Sequence, residues 1–351
     1  MKPDMSNQKT SNATTVPRAG LRDVAKMAGV STATVSRVVN QPDTVSDTLR
    51  KRVMDAIQVV GWVPNAAARA LTSNRTGTIG AVLPALALGD FARSIDAMQD
   101  ALAARNYVLL LARSNYDPAL EFSQVTKLAE RGVDGLILVG RDRAPEYQSF
   151  LSRLKIPYIN SFIFEPEATM PCVGPDNAAA MASMVDYLVE QGHRRFAMIA
   201  QTTTSNDRAL ARRNGVRDAL AHHGLAIPPH AMFEGKWSIE EGRMLLNVAM
   251  ALEVRPTALI CGNSMLAVGA LLQAMENEIR VPDELSIVGY DDVELMSELP
   301  IPITTVRVAS EEVGRVSADT VLDMIEGKRW TGTRIPYEIV VRASSGPAPA
   351  T

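Results

Sequence analysis

From Gly77 onward, apolar runs of strand length alternate with longer stretches of helical period, and that alternation leaves few folds open to the chain. The runs are Ile79–Pro84, Tyr107–Ala112, Gly135–Val139 and Tyr158–Phe162, then Phe196–Ala200, Ala258–Cys261 and Ser286–Gly289. Helical patterns lie between them, among them Phe91–Arg105, Ala119–Arg131, Ala178–Gln191, Arg208–His223, Ile239–Leu252 and Met265–Glu276. Strand followed by helix, repeated, predicts a parallel sheet covered by helices on both faces. Two such sets predict two similar doubly wound lobes, about 77–175 and 176–304, with a ligand held between them at the carboxyl ends of the strands. Ile303–Val306 and Tyr337–Val341 read as later strands separated by a helix over Glu311–Ile325, a C-terminal crossover that completes a core of residues 77–344.

The 351 residues are 46% hydrophobic, enough to bury such a core. No apolar run reaches the roughly 18 residues a membrane-spanning helix needs. The first twenty residues are polar and carry no secretory signal pattern. Two cysteines, Cys172 and Cys261, make no disulfide framework or metal-ligand spacing and suit a reducing cytoplasm.

The charge is unevenly spread. Residues 1–77 hold eleven Lys and Arg against five Asp and Glu, whereas the remainder holds 25 against 34. A basic head on an acidic body is the pattern of a chain whose small end meets nucleic acid. Residues 1–18 are rich in Ser, Thr and Asn without apolar period and read as a disordered tail, as do residues 345–351 at the other end. Within the domain expected over 19–63, Leu21, Val24, Ala25 and Ala28 recur at helical spacing. Gly29 supplies the left-handed turn residue, and Ser31 is a good N-cap for a second helix over Thr32–Asn40. Two short helices joined through a glycine turn are the helix-turn-helix signature. A third helix is expected over Asp47–Val60, capped by Ser46 and ended by Gly61, with Val53, Ile57 and Trp62 closing a small core. Arg50, Lys51 and Arg52 near its start suit either phosphates or a solvated face.

Leu21-Arg22-Asp23-Val24-Ala25, Ala28-Gly29-Val30-Ser31, Thr34-Val35-Ser36-Arg37-Val38-Val39-Asn40 and Trp62-Val63-Pro64-Asn65 stand in one ordered block. In this block the sequence resembles the LacI/GalR family of bacterial transcription regulators, and the resemblance continues over about residues 20–343. It implies an all-α helix-turn-helix domain with a hinge helix over 64–76, followed by a periplasmic-binding-protein-like α/β core. It implies that Thr32, Ala33 and Arg37 face base edges, that Ser31, Thr34, Ser36 and Asn40 face phosphates, and that Asn65, Ala68 and Leu71 of the hinge contact the minor groove. There Leu71 acts as an apolar wedge that unstacks a base step. Ala33 offers only apolar contact to a thymine methyl, so base discrimination falls on Arg37 and Thr32.

Strand ends mark the expected pocket. Asn263 and Ser264 follow Ala258–Cys261, Asp291 follows Ser286–Gly289, and Trp237 follows a strand over Met232–Gly235. Arg212 lies on the helix after Phe196–Ala200. The resemblance implies that Arg212, Trp237, Asn263 and Asp291 contact an effector, Trp stacking on a sugar face and the polar groups fixing hydroxyls. Arg208, with Asp90 and Phe91 on the first lobe, joins the candidates. Ser264 and Phe162 stand where many sugar-binding relatives carry aspartate, which makes the pocket less negative and favours a sugar acid gripped by arginine.

No nucleophile, phosphate-loop, zinc or dinucleotide motif is present, and the four histidines lack ligand spacing, so neither enzyme, metal nor cofactor is expected. His193, after Gly192 at a helix end, reads as a cap. Asp291 and Asp292, as neighbours on a strand end, point to opposite faces and do not chelate one ion. The chain is therefore expected to be a repressor of double-stranded operator DNA, a homodimer or tetramer on a pseudo-palindromic site, released by a sugar or aldonate-like effector. A corepressor-dependent regulator and a sugar-binding protein without DNA function are the alternatives. Arg37→Ala is expected to cost about 1–3 kcal/mol per half-site and to relax specificity at one base pair. Binding to operators varied base by base checks this, because uniform weakening would mark a phosphate contact instead.

Overall fold

The computed structural model describes residues 19–63, 75–86, 89–166 and 170–350. The tail 1–18 and the hinge positions Asn65, Ala68 and Leu71 lie outside the described residues. The chain divides into two units, one ending at Asn74 and one beginning at Arg75.

In the first unit, α1 (Leu21–Ala28), α2 (Thr32–Asn40) and α3 (Asp47–Val60) surround a core of Val24, Ala25, Ala28, Val35, Val38, Val53 and Ala56. Leu21, Val30, Ile57 and Trp62 pack against it. Gly29 ends α1 at φ +63°, a left-handed conformation that glycine adopts without steric cost. Ser31 caps α2, its Oγ accepting from Thr34 N at 3.1 Å. Ser46 holds the N-cap position of α3 but its hydroxyl makes no capping bond.

The second unit holds two six-stranded sheets. In the first, β1 (Thr78–Leu83), β2 (Val108–Arg113), β3 (Gly135–Val139), β4 (Tyr158–Ser161) and β5 (Cys172–Gly174) join a short β11 (Thr333–Arg334) in the order β11-β5-β4-β3-β1-β2. Every pair is parallel. The helices between them are α4 (Gly89–Ala104), α5 (Pro118–Glu130) and α6 (Pro145–Leu154). The second sheet runs β12-β10-β9-β8-β6-β7, from β6 (Phe196–Gln201), β7 (Met232–Gly235), β8 (Ala258–Cys261), β9 (Ser286–Tyr290), β10 (Thr304–Val308) and β12 (Tyr337–Val340). Only β10–β12 is antiparallel. Its helices are α7 (Asn177–Glu190), α8 (Asp207–His222), α9 (Ile239–Met250), α10 (Ser264–Glu276) and the short α11 (Leu295–Glu298). The central strands β3, β6 and β8 are apolar and buried end to end, as central parallel strands must be.

The chain passes between the sheets three times: from β5 into α7, from β10 through α12 (Ser310–Ile325) back to the first sheet, and from β11 to β12. α12 packs on α4 and under β3, β4 and β5. β5 and β11, of three and two residues, were not read from the sequence, since neither carries a periodic signal.

The C-terminal stretch corrects an expectation. Of 345–351, expected to be disordered, residues 345–350 are described, and the chain is tied down from Ser344 on. Ser344 Oγ donates to Ile287 O and accepts from Thr304 N at 2.9 Å. Ser345 lies within hydrogen-bond distance of Thr304 (2.7 Å) and Tyr187 (2.9 Å). His193, fully buried, is not a helix cap: its ring nitrogens meet Thr257, Ser286 and the Gly346 carbonyl. Burial holds its pKa below the ordinary value, so it is a neutral staple. The polar composition that suggested disorder instead supplies hydrogen bonds to buried strand ends. Truncation after Ala343 is expected to cost roughly 2–4 kcal/mol by orphaning Thr304 N and Ile287 N and removing the Gly346 carbonyl from His193, read from urea unfolding midpoints.

Candidate functional site

Two surfaces gather the residues singled out above. On α2, Thr32, Ala33, Arg37 and Asn40 are exposed on the side opposite Val35 and Val38, and Thr34 and Ser36 flank them half-buried. Ser31 Oγ meets Thr34 Oγ1 at 2.9 Å, and Asn40 Nδ2 donates to Ser36 Oγ at 3.2 Å. The helix therefore presents short hydroxyl and amide groups around one guanidinium, a shape that enters a major groove without obstruction.

The second surface is a cleft between the two sheets, about 610 Å³ of empty volume partly open to solvent. Asp90 and Phe91 at the start of α4, Phe162 after β4, Arg208 and Arg212 on α8, Trp237 after β7, Ser264 opening α10 and Asp291 after β9 all line it. Phe91 and Phe162 meet edge to face with centroids 4.8 Å apart. Phe162 at φ +62° and Asp291 at φ +87° occupy the left-handed region, which costs free energy for such residues and is tolerated where the surroundings enforce it.

Arg212 is 7% exposed. Its Nη1 donates to Asn177 Oδ1 at 3.0 Å and its guanidinium lies 4.5 Å from the centroid of the Tyr290 ring. Its Nε meets no acceptor, and no carboxylate pairs with it among the described residues. Tyr290 OH donates to the same Asn177 Oδ1 at 3.1 Å, and Asn177 Nδ2 donates to the Phe162 carbonyl at 3.0 Å. Burial pushes the Tyr290 phenol above its usual range, so it stays a neutral donor.

Arg208 leans on its neighbour, Nη1 donating to Asp207 Oδ1 at 2.9 Å. The other Asp207 oxygen accepts from Arg141 N at 2.6 Å, so a carboxylate of the second lobe grips the backbone after β3 of the first. Gly140 sits beneath this grip at φ +70°, where a Cβ would overlap both Asp207 and the Arg208 guanidinium. Arg213, on another face of α8, pairs instead with Glu234 at 2.7 Å.

Asn263 caps α10, Oδ1 accepting from Leu266 N at 3.0 Å; it is fully buried behind the cleft-lining residues, with its Nδ2 unpartnered. Asn177, Tyr290, Gln201, Asn206 and Tyr116 line the cleft without having been singled out. The strand-end rule that selected Asp291 also points to Gln201, the last residue of β6, and Tyr290, the last of β9. Asn206 caps α8 and Asn177 opens α7, positions the same rule reaches.

Asp292 turns away from Asp291 and pairs with Arg342 and Arg307, both at 2.6 Å. Burial alone would raise its pKa, but the two guanidiniums hold it below the ordinary carboxylate value. Its contribution to stability is therefore full above the unfolded value of about 3.9 and is lost as pH falls through the lower folded value. Asp292→Asn is expected to lose about 1–3 kcal/mol near neutrality, a gap that closes in acid when denaturation is followed downward in pH.

The lacI family of bacterial regulatory proteins matches residues 20–65, and the periplasmic binding protein-like domain matches residues 185–345. The chain is 31% identical to the HTH-type transcriptional repressor CytR of Escherichia coli K12, over 94% of this chain and 97% of that protein. It superposes on the lac repressor dimer bound to operator and the anti-inducer ONPF with a TM-score of 0.83, at 27% identity, covering 93% of this chain and 99% of the other. It also resembles the regulator CelR, solved as a cellobiose complex, with a TM-score of 0.68 at 28% identity over 93% of this chain and all of that one.

Proposed function

Because the chain belongs to the lacI family of bacterial regulatory proteins and is a DNA-binding transcriptional repressor, we propose that a small polar metabolite, a sugar or a sugar acid, controls its operator affinity from the interlobe cleft. The observation that carries this reading is Arg212, a buried guanidinium with an unbonded Nε and no ion-pair partner among the described residues. Leaving a charge buried and incompletely bonded is costly, and a ligand carboxylate or ring of hydroxyls relieves it. Trp237, Phe91 and Phe162 supply apolar faces for a sugar ring, and Gln201, Asn206 and Ser264 supply hydrogen bonds. Similarity to CelR, solved with cellobiose, supports a saccharide. Burial pushes the carboxyls of Asp90 and Asp291 upward, so the cleft is less negative than two ordinary carboxylates would make it, which favours the sugar acid.

The α2 face reads the operator, Arg37 and Thr32 carrying most base discrimination, with Ser31, Thr34, Ser36 and Asn40 on phosphates. The protein acts as a homodimer, and its two-fold symmetry asks for a pseudo-palindromic site. Effector binding changes lobe closure and releases the operator; by linkage, operator DNA weakens effector binding by the same factor. The protein works in the cytoplasm and catalyses no reaction.

A thermal-shift panel of neutral sugars, sugar acids and nucleosides on the full-length protein tests the ligand class. A sugar acid at 100 times its Kd adds about 2.7 kcal/mol of stability. Arg212→Ala is expected to weaken that ligand about 10–100-fold, the worth of a charged hydrogen bond. A shift by nucleosides alone, insensitive to Arg212→Ala, overturns the proposal. A gel shift with the same ligand then shows whether it loosens the operator complex.

A further inference from the structure

A second cavity lies wholly within the first lobe, beside α6 and the ends of β3 and β4. Its empty volume is about 800 Å³, partly open to solvent, and it shares no lining residue with the interlobe cleft. Leu151, Ile163, Met170 and Cys172 give it apolar walls, and Arg143, Asn160 and Tyr158 give it polar ones.

The Arg143 side chain is 4% exposed. Its Nε donates to Glu121 at 2.8 Å, and its Nη1 donates to the Gly140 carbonyl at 2.9 Å and to Asn160 Oδ1 at 2.8 Å. Its Nη2 is buried and meets no acceptor among the described residues. Glu121 answers the charge of this guanidinium, so what it lacks is an acceptor for the N–H groups of Nη2. An unmet buried donor costs free energy that a bound oxygen recovers.

We propose that this cavity is a second ligand site, taking a small neutral molecule with a carbonyl oxygen on an apolar body, such as an amide, and that its occupant steadies the loop by which the first lobe holds the second.

The lining favours a carbonyl over a carboxylate. Arg143 is already paired with Glu121, and Arg141, half-exposed, with Glu165 at 2.7 Å, so neither lining cation is left over for an anion. Burying a further negative charge beside those two carboxylates is costly, whereas a carbonyl oxygen satisfies Nη2 without one. Burial raises the Cys172 thiol and the Tyr158 phenol above their ordinary pKa values, so both stay neutral. The reach to the second lobe runs through one peptide group. The carbonyl of Gly140 accepts from Arg143, and the N–H of the same peptide, on Arg141, donates to Asp207 of α8 at 2.6 Å. A ligand that fixes Arg143 therefore fixes the peptide that grips the other lobe.

Benzamide, benzoate and toluene, nearly equal in shape, probe the neutral, anionic and apolar chemistries. Carbon-13 NMR of the methionine methyls in the full-length protein follows Met170, assigned with Met170→Leu. Benzamide is expected to shift that methyl to saturation, with benzoate and toluene about tenfold weaker or more. Arg143→Lys, which keeps the cation and loses Nη2, is expected to weaken benzamide by a similar factor. Ser152→Trp, which fills the cavity from its exposed edge and leaves Arg143 in place, is expected to abolish the shift. Arg212→Ala, in the interlobe cleft, is expected to leave it unchanged, so failure here is separate from failure of the proposed effector site. The absence of a saturable benzamide shift overturns the proposal, and tighter binding of benzoate overturns the carbonyl class. A shift that survives either Arg143→Lys or Ser152→Trp, or that is lost in Arg212→Ala, puts the probe elsewhere and overturns the site. Hydrogen exchange over residues 140–144 is expected to slow with benzamide; unchanged exchange overturns the reach to the second lobe.

Discussion

One asparagine side chain holds the hinge of the core together. Asn177 Oδ1 accepts from both Arg212 Nη1 and Tyr290 OH, while its Nδ2 donates to the Phe162 carbonyl. Those partners come from α8, the end of β9 and the loop after β4, and Asn177 itself opens α7 just after the chain has passed between the lobes. A buried amide with both its oxygen and its nitrogen engaged is fixed in orientation, and it fixes what it touches. It holds Arg212 against the Tyr290 ring, and it holds the backbone of Phe162, at φ +62°, whose ring forms one wall of the cleft. At the first of the three passages between lobes, this knot ties the loop after β4 to α8 and β9.

Neighbouring acids then divide the work. Asp291 and Asp292 are adjacent, both at positive φ, yet the first lines the cleft and the second is locked between Arg307 and Arg342. Arg307 and Arg342 thus hold Asp292 in ion pairs, while its neighbour Asp291 lines the cleft. On the other side of the cleft, Asp207 plays the corresponding part by gripping the backbone N–H of Arg141.

The fold was largely legible because parallel strands buried on both faces must be apolar runs, and helical period shows in the segments that cover them. α1, α2 and α3 have the bounds their caps announced, Gly29 and Gly61 ending α1 and α3 in left-handed turns. The failures share one cause. β5, β11 and the stretch after Ala343 are ordered by partners far along the chain: Ser345 by Tyr187 and Thr304, Gly346 by His193. Composition reads such a stretch as disordered because it contains no apolar period of its own. The cleft was legible where a strand end carried a conspicuous side chain, such as Trp237 or Asp291. The same rule reaches Asn177 and Tyr290, but what singles them out is a shared hydrogen bond that no spacing shows. Asn263 stands at a strand end too; the helix that begins there takes its oxygen as a cap and leaves its Nδ2 unpartnered.

The cleft also shows why a binding site is poorly served by its own best stability. Arg212 is left with an unbonded Nε, and Phe162 and Asp291 sit in backbone conformations that cost free energy. Each could be relieved by a substitution that would fill or relax the site. On the proposed function, together they amount to interactions held in reserve for a ligand. A ligand can shift an equilibrium between two lobe arrangements only by its difference in affinity for them. A group satisfied equally in both arrangements contributes nothing to that difference. In the proposed function, the incompletely bonded Arg212 guanidinium contributes if closure brings a ligand oxygen to it, and relaxing it would stabilise the protein while weakening its response.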